Sequence, residues 1–271
     1  MIRTNPVKAR LAAGKKCLGV WLVANDPISA EIIGQVGYDF VIIDHEHGPG
    51  EFVGAAGQMQ ALRSGSIGAL NDDGRDAGGP ATFIRVPWND APTIKRALDI
   101  GAEGIMVPYV ETAEEAQEAV HACKFPPEGC RGCAIGVIRG SGYGQNAADY
   151  WDRINDEVCV MVQIETQKGI ESIPQIAKID GVDIIFIGPN DMTVTSGFNP
   201  LKPTHEARAI IKRAEAAIET AGKPMGAVPY YGQTVPEMFD RGYDLIAAGS
   251  ELSLLRTAGK AAMDMHRSAH G

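Results

Sequence analysis

Two carboxylates sit where apolar runs end. Glu165 closes VCVMVQIE, and Asp191 follows DIIFIGPN. With water and a bidentate ligand, such a pair makes a hard oxygen site suited to Mg²⁺ or Mn²⁺. Each has a structural alternative: Asp191 as the cap of a following helix, Glu165 as half of an ion pair. The segment Asp44-His45-Glu46-His47 adds two histidines spaced by two, which share a face of an extended chain. Spacing identifies no third ligand for zinc there. A general acid/base role for one imidazole is favoured, because it titrates near neutral pH and a neighbouring carboxylate fixes its tautomer. Arg85 lies inside the apolar run FIRVP, so it must meet a carboxylate or an anionic ligand, or else serve as a structural salt bridge. Gln163 shares its run with Glu165, and Trp21 ends the run CLGVW. Lys168 is close behind a run end, but it reads as opening a helix rather than as a buried Schiff-base lysine. His121 falls on a predicted helix, and His205, His266 and His270 read as surface residues. Cys130 and Cys133 form a lone CxxC without the partner pair that a zinc or redox role needs.

Short β-branched runs alternate with helical patterns along the whole chain. Strands are predicted over Cys17–Val23, Phe40–Ile43, Thr82–Val86, Gly104–Val107, Val158–Ile164, Asp183–Ile187, Met225–Val228 and Leu245–Ala248. Most are continuously apolar, as expected of a parallel sheet covered on both faces. Helices are predicted over Ile28–Val36, Glu51–Arg63, Ala91–Ile100, Ala113–Cys123, Ile170–Ile179, His205–Ala221, Val235–Arg241 and from Leu252. Eight strand–helix alternations predict an α/β fold of the (β/α)8 TIM-barrel type, as a single domain over 1–271. An open doubly wound sheet is the alternative, but no GxGxxG follows the first strand. In a barrel, side chains just past the strand ends converge on one mouth, which is where the polar residues above fall. Two connections are long enough to be insertions, over about 64–81 and 124–149. Arg139 and Tyr143 lie in the second, whose reach toward the mouth the sequence leaves open.

The chain has 271 residues, 45% of them hydrophobic and 22% charged, with a formal charge of −9. That balance, without a Lys/Arg tract, argues against nucleic acid or an anionic membrane as a partner. The five cysteines are scattered, and no run approaches the length of a membrane span, so a reduced, cytoplasmic protein is expected.

The blocks LGVWL, YDFVIIDHEHGP, IRVPWND, VPYVETAEEA, KFPPEGCRG, VQIETQKG and VDIIFIGPNDM occur in this order. Together they resemble the HpcH/HpaI aldolase family of metal-dependent, class II pyruvate aldolases, from about Leu18 to Ala248. KKCLGVW and KFPPEGCRG are also similar to its macrophomate synthase-like fungal branch. The resemblance implies a phosphoenolpyruvate/pyruvate-type barrel and a lyase that cleaves 4-hydroxy-2-oxo acids or runs the reverse aldol addition. It further implies a divalent cation, Mg²⁺ first and Mn²⁺, Co²⁺ or Zn²⁺ as alternatives, which chelates pyruvate or oxaloacetate. Glu165 and Asp191 match the metal ligands, and Arg85 the residue on the enolate oxygen. His47 matches the acid/base histidine, and Asp44 the acid that orients it. Trp21 and Gln163 match pocket-lining residues, and Gly188, Pro189 and Asn190 are read as lining the substrate with them. The partners implied are a 2-oxo acid, an aldehyde and further copies of the chain, in a hexamer whose last helix swaps between neighbours. His45 stands where the family often has a small residue. The remaining alternatives are a decarboxylating C–C bond-forming enzyme, a lysine-dependent aldolase acting through Lys168, and a non-catalytic barrel that binds an oxo acid.

Overall fold

The computed structural model describes residues 2–67, 78–202 and 204–270. Most of the insertion expected over 64–81 lies outside them. Eight parallel strands form a closed barrel in chain order: β1 (Cys17–Leu22), β2 (Phe40–Asp44), β3 (Ala81–Arg85), β4 (Gly104–Val107), β5 (Cys159–Ile164), β6 (Ile184–Ile187), β7 (Met225–Ala227) and β8 (Leu245–Ser250). Around it run α1 (Pro6–Ala12), α2 (Pro27–Val36), α3 (Phe52–Gly65), α4 (Ala91–Asp99), α5 (Ala113–Cys123), α6 (Ala147–Glu157), α7 (Gln167–Ile176), α8 (Pro189–Thr195), α9 (His205–Ala221), α10 (Val235–Asp240) and α11 (Glu251–His270).

The strand period of two divides the apolar residues into two layers. Val41, Ile43, Ile84, Val160, Val162, Ile185 and Ile187 face outward, in one core with the inner faces of the helices. Phe40, Ile42, Phe83, Met106, Met161, Ile184 and Phe186 fill the barrel interior, with Val7 of α1 packed into the same cluster. Three of the interior rings lie where a side chain on Gly19, Gly104 or Gly226 would collide with them. Large and small residues therefore alternate across the bore, which makes it a packed core rather than a channel.

Helix starts follow local capping chemistry. Asp26, Asp90, Thr112, Thr166 and Thr234 cap α2, α4, α5, α7 and α10 with their side chains. Thr112 and Thr234 complete capping boxes with Glu115 and Glu237. Each cap satisfies backbone donors that would otherwise be orphaned, and so fixes where a mouth loop ends.

Three helices were not expected. α1 carries a readable signal, Asn5 as cap with Pro6 in the first turn. α6 is amphipathic and buries Tyr150 and Ile154, between the long connection and β5. α8 is a seven-residue helix rich in Thr and Val, which tertiary contacts hold rather than propensity.

The connection over 124–149 joins α5 to β5 and therefore lies at the face opposite the mouth. Arg139 donates to the Ile100 carbonyl at the end of α4 (2.8 Å), and Arg131 pairs with Asp99 (2.8 Å). The loop is thus a strap under its own barrel, and it does not bring Arg139 or Tyr143 to the mouth. Among the described residues, no helix is long and apolar enough to cross a membrane.

Candidate active site

The inward parity of the strands ends in a polar layer. Following Phe40 and Ile42, the next inward residue of β2 is Asp44; following Ala81 and Phe83, that of β3 is Arg85; following Cys159 and Met161, that of β5 is Gln163. Asp44 and Arg85 are register partners across β2 and β3. One step further, Glu46 and Glu165 keep the same parity, and Gly188 follows Phe186 of β6. Trp21 is the corresponding residue of β1.

Arg85 is buried and held by carboxylates. Its Nε and Nη2 donate to the two Asp44 carboxylate oxygens at 2.9 and 2.7 Å, and Nη1 lies 2.9 Å from Glu46 Oε2. Its guanidinium lies 4.4 Å over the Trp21 ring, which packs edge-on against Phe186. Burial by itself raises the Asp44 carboxyl, but hydrogen bonds and charge from Arg85 outweigh it and hold the group below its ordinary value.

Glu165 is buried, and Gln163 Nε2 donates to its Oε1 at 2.7 Å. Its Oε2 accepts from the Tyr109 backbone N–H at 2.9 Å, and its carbonyl from the Thr195 hydroxyl of α8 at 2.7 Å. Burial, then the charges of Asp191 and Glu46, push the Glu165 carboxyl up to about 8. Glu46 is raised as well, by burial ahead of its other neighbours, although Arg85 and His47 pull the other way. Glu165, Asp191 and Glu46 therefore crowd a site whose nearest guanidinium, Arg85, is already shared between Asp44 and Glu46.

The test for a cation rests on this crowding. Uncompensated carboxylates brought together in a buried site raise one another's pKa, and a divalent cation removes that penalty. The space beside Glu165 is kept clear, since a Cβ on Gly188 would fall 2.6 Å from Glu165 Oε1 and 3.0 Å from Gln163 Nε2. Gln163 Oε1 is buried without a partner. Among the described residues, no group of three or more His, Cys, Asp or Glu has the arrangement of an all-protein metal cage. The residues fit a cation that takes its remaining oxygens from water and a bidentate ligand.

The two histidines separate. His45 has outward parity and lies edge-on to Phe52 of α3, at 5.3 Å, and burial lowers its pKa. His47 is 64% exposed in its side chain, with Nε2 3.9 Å from Glu46 Oε1. Asp44 accepts from the backbone N–H groups of Glu46 and His47 (3.1 and 3.4 Å). The expected pairing of Asp44 with the His47 ring is thus replaced by an Arg85 pair and a backbone turn, because a guanidinium in register across the next strand claims both oxygens.

Pro189 is buried at the start of α8, whereas Asn190 is exposed on the rim and Asp191 is half-buried in the first turn. Glu46 is the residue that the sequence reading passed over, although its parity with Asp44 was visible. Lys168 is 60% exposed and paired with Glu111 at 3.1 Å, which raises its pKa. A Schiff-base nucleophile needs the opposite shift. Cys130 and Cys133 are free and exposed, far along the strap from these groups.

The closed parallel barrel gathers carboxylates and a buried arginine at its C-terminal mouth, the face where barrel enzymes carry their chemistry. The HpcH/HpaI aldolase/citrate lyase family model matches residues 17–258, and the chain belongs to that family. It is 36% identical over 260 residues to a 4-hydroxy-2-oxo-heptane-1,7-dioate aldolase of Shigella sonnei, covering 95% of this chain and 93% of that one. It is 38% identical over 256 residues to a hydroxypyruvate/pyruvate aldolase of Sagittula stellata, covering 94% of each. A solved family member from Burkholderia cenocepacia superposes with a TM-score of 0.88 at 31% identity, covering 97% of this chain and all of that one. Macrophomate synthase, the branch raised by the sequence, superposes at 0.81 with 25% identity, over 97% of this chain and 88% of that one. The chain is accordingly a metal-dependent carbon–carbon lyase of the aldolase type.

Proposed function

We propose that this chain cleaves 4-hydroxy-2-oxo acids to pyruvate and an aldehyde, and runs the reverse addition, with Mg²⁺ as its working cation. The observation that carries the reading is the excess of carboxylate charge around Glu165 beside the Arg85 guanidinium. Glu165 and Asp191 would hold the cation, which when bound polarises the 2-oxo group as a Lewis acid. The hard oxygen set favours Mg²⁺ or Mn²⁺ over softer ions.

Arg85, fixed on Trp21 and held by Asp44, is aimed at the oxygen where negative charge grows as the C3–C4 bond breaks. A donor that needs no reorganisation there is worth most to the rate. Gln163 orients Glu165, and Gly188 leaves room for the oxo acid against Pro189 and Asn190. His47 takes the proton from the C4 hydroxyl during cleavage and returns it in the addition direction, with Glu46 adjacent to its ring. The same residues would support loss of CO₂ from oxaloacetate, since both reactions leave a pyruvate enolate.

Glu165→Ala and Asp191→Ala are expected to lose Mg²⁺ binding by calorimetry and turnover together. A chelator-treated sample that cleaves its substrate at the full rate would sink the reading.

The assembly is also proposed here. α11 is exposed along almost its whole length, including Leu252, Leu254, Leu255, Met263 and Met265. α2 presents Ile28, Ile32 and Val36 outward, spaced by four on one stripe. We assign α11 to packing on a neighbouring copy, in a homo-oligomer whose expected form is a hexamer. All five cysteines are free, which suits a reducing cytoplasm.

A further inference from the structure

Trp88 and Tyr109 stand on the mouth loops after β3 and β4, and neither is needed to hold a cation or a pyruvate unit. Their rings stack at 5.9 Å with 26° between planes, yet Trp88 is 59% and Tyr109 38% exposed. Tyr109 has a φ of 56°, a left-handed conformation that costs a bulky residue stability. That conformation turns its N–H onto Glu165 Oε2 while its ring meets Trp88. The pair is therefore one residue away from the carboxylate centre. Its loops are also pinned: Asn89 Nδ2 donates to the Glu115 carbonyl (2.9 Å), Asp90 N–H to the Trp88 carbonyl (2.9 Å) and Val110 N–H to the Gln163 carbonyl (3.1 Å). This is a preorganised, flat aromatic wall on the mouth loops, tied to Glu165 through the Tyr109 N–H. The charges nearest it are acidic: Glu165 accepts from Tyr109 itself, with Asp191 and Glu46 acting on Glu165, and Glu111 follows Tyr109 by two residues. The neighbouring cations are spoken for, Arg85 by Asp44 and Glu46, and Lys168 by Glu111.

We infer that Trp88 and Tyr109 form the acceptor subsite, and that they select an uncharged aldehyde with a flat apolar body, an aryl aldehyde, over a carboxylated one. The inference rests on the pyruvate-lyase reading above. In the addition direction, the pyruvate methyl group loses a proton, and its carbon bonds to the aldehyde carbon. The carbonyl electron pair moves to oxygen, which regains the proton, giving a 4-aryl-4-hydroxy-2-oxobutanoate. The aryl ring stacks on the wall, whereas a terminal carboxylate there would meet Glu111, whose partner Lys168 is already paired with it.

The test uses the full-length protein with Mg²⁺, pyruvate, and either benzaldehyde or succinic semialdehyde. Wild type is expected to prefer benzaldehyde in kcat/KM. Trp88→Ala and Tyr109→Gly should each reduce that preference about tenfold, through the aldehyde KM, and Trp88→Phe should keep it. Glycine accepts the left-handed φ at 109, so that variant removes the ring without adding strain. An unchanged ratio, or a wild type that prefers the semialdehyde, overturns the inference. So does an equal loss with both aldehydes accompanied by dissociation of the oligomer, which would make the pair a subunit contact. Mg²⁺-dependent deuterium exchange into the pyruvate methyl group of wild type separates the two levels. Its absence sinks the lyase reading itself, whereas exchange with an unaltered aldehyde ratio sinks only the subsite.

Discussion

Arg85 is held at the mouth by contacts that would also bear on its proposed role. Its fork matches Asp44 in two hydrogen bonds and still reaches Glu46, while its face rests on Trp21. A lysine keeps the charge but offers neither the paired donors nor the flat face. Arg85→Lys should lower kcat roughly 100-fold, a loss of the size seen when one preorganised donor is removed. It should also lower the melting temperature, because Asp44 stays buried with a poorer partner. Steady-state kinetics and a thermal melt check the two halves; full turnover would make Arg85 a structural ion pair only. Glu165 gives a pH prediction. Its folded pKa of about 8 lies above that of an unfolded carboxyl near 4.5, so the folded metal-free chain holds a proton that the unfolded chain has released. The associated stability is present below that window and is lost as pH rises through it. Metal-free melting temperature should therefore fall between about pH 4.5 and about pH 8, and Mg²⁺ should restore it, as cation replaces proton. A Glu165→Gln protein should show a flatter profile.

At the scale of elements, the junction of β6 with α8 decides whether the carboxylates can meet. Gly188 brings the chain past Glu165 so closely that a methyl group has no room. Thr195 of α8 then fastens the Glu165 backbone. Gly188→Ala should leave the barrel folded while displacing the Glu165 carboxylate, weakening Mg²⁺ binding about tenfold. Calorimetry with a far-ultraviolet spectrum tests this, and unaltered affinity would show that the junction has slack. The eight strands and most of the helices were legible in the sequence, since short continuous apolar runs and helical periodicity are properties of a few neighbouring residues. α8 was not, because a short Thr- and Val-rich segment becomes helical only when the barrel rim supports it. The strap over 124–149 was located but not placed. Its position follows from Arg131 and Arg139 finding Asp99 and Ile100 some thirty to forty residues away.

For the whole molecule, a twenty-residue helix that buries almost nothing cannot be stable alone. The exposed leucines and methionines of α11 and the isoleucines of α2 are the surfaces that the proposed oligomer would bring together. Leu255→Asp combined with Met263→Asp should shift the native mass downward in light scattering and lower the melting temperature. A wild-type mass equal to one chain would remove the assembly from the account.

By itself, the sequence determined the barrel and the strand-end residues of its interior polar layer, Asp44, Arg85, Gln163 and Glu165. Each follows from strand parity, which is a local property of the chain. Tertiary structure alone decided the partnerships: Asp44 with Arg85 rather than with the His47 ring, Glu46 as a third carboxylate, and His45 turned toward Phe52. Which charges meet depends on distances of a few ångströms across neighbouring strands, and sequence spacing does not carry those distances.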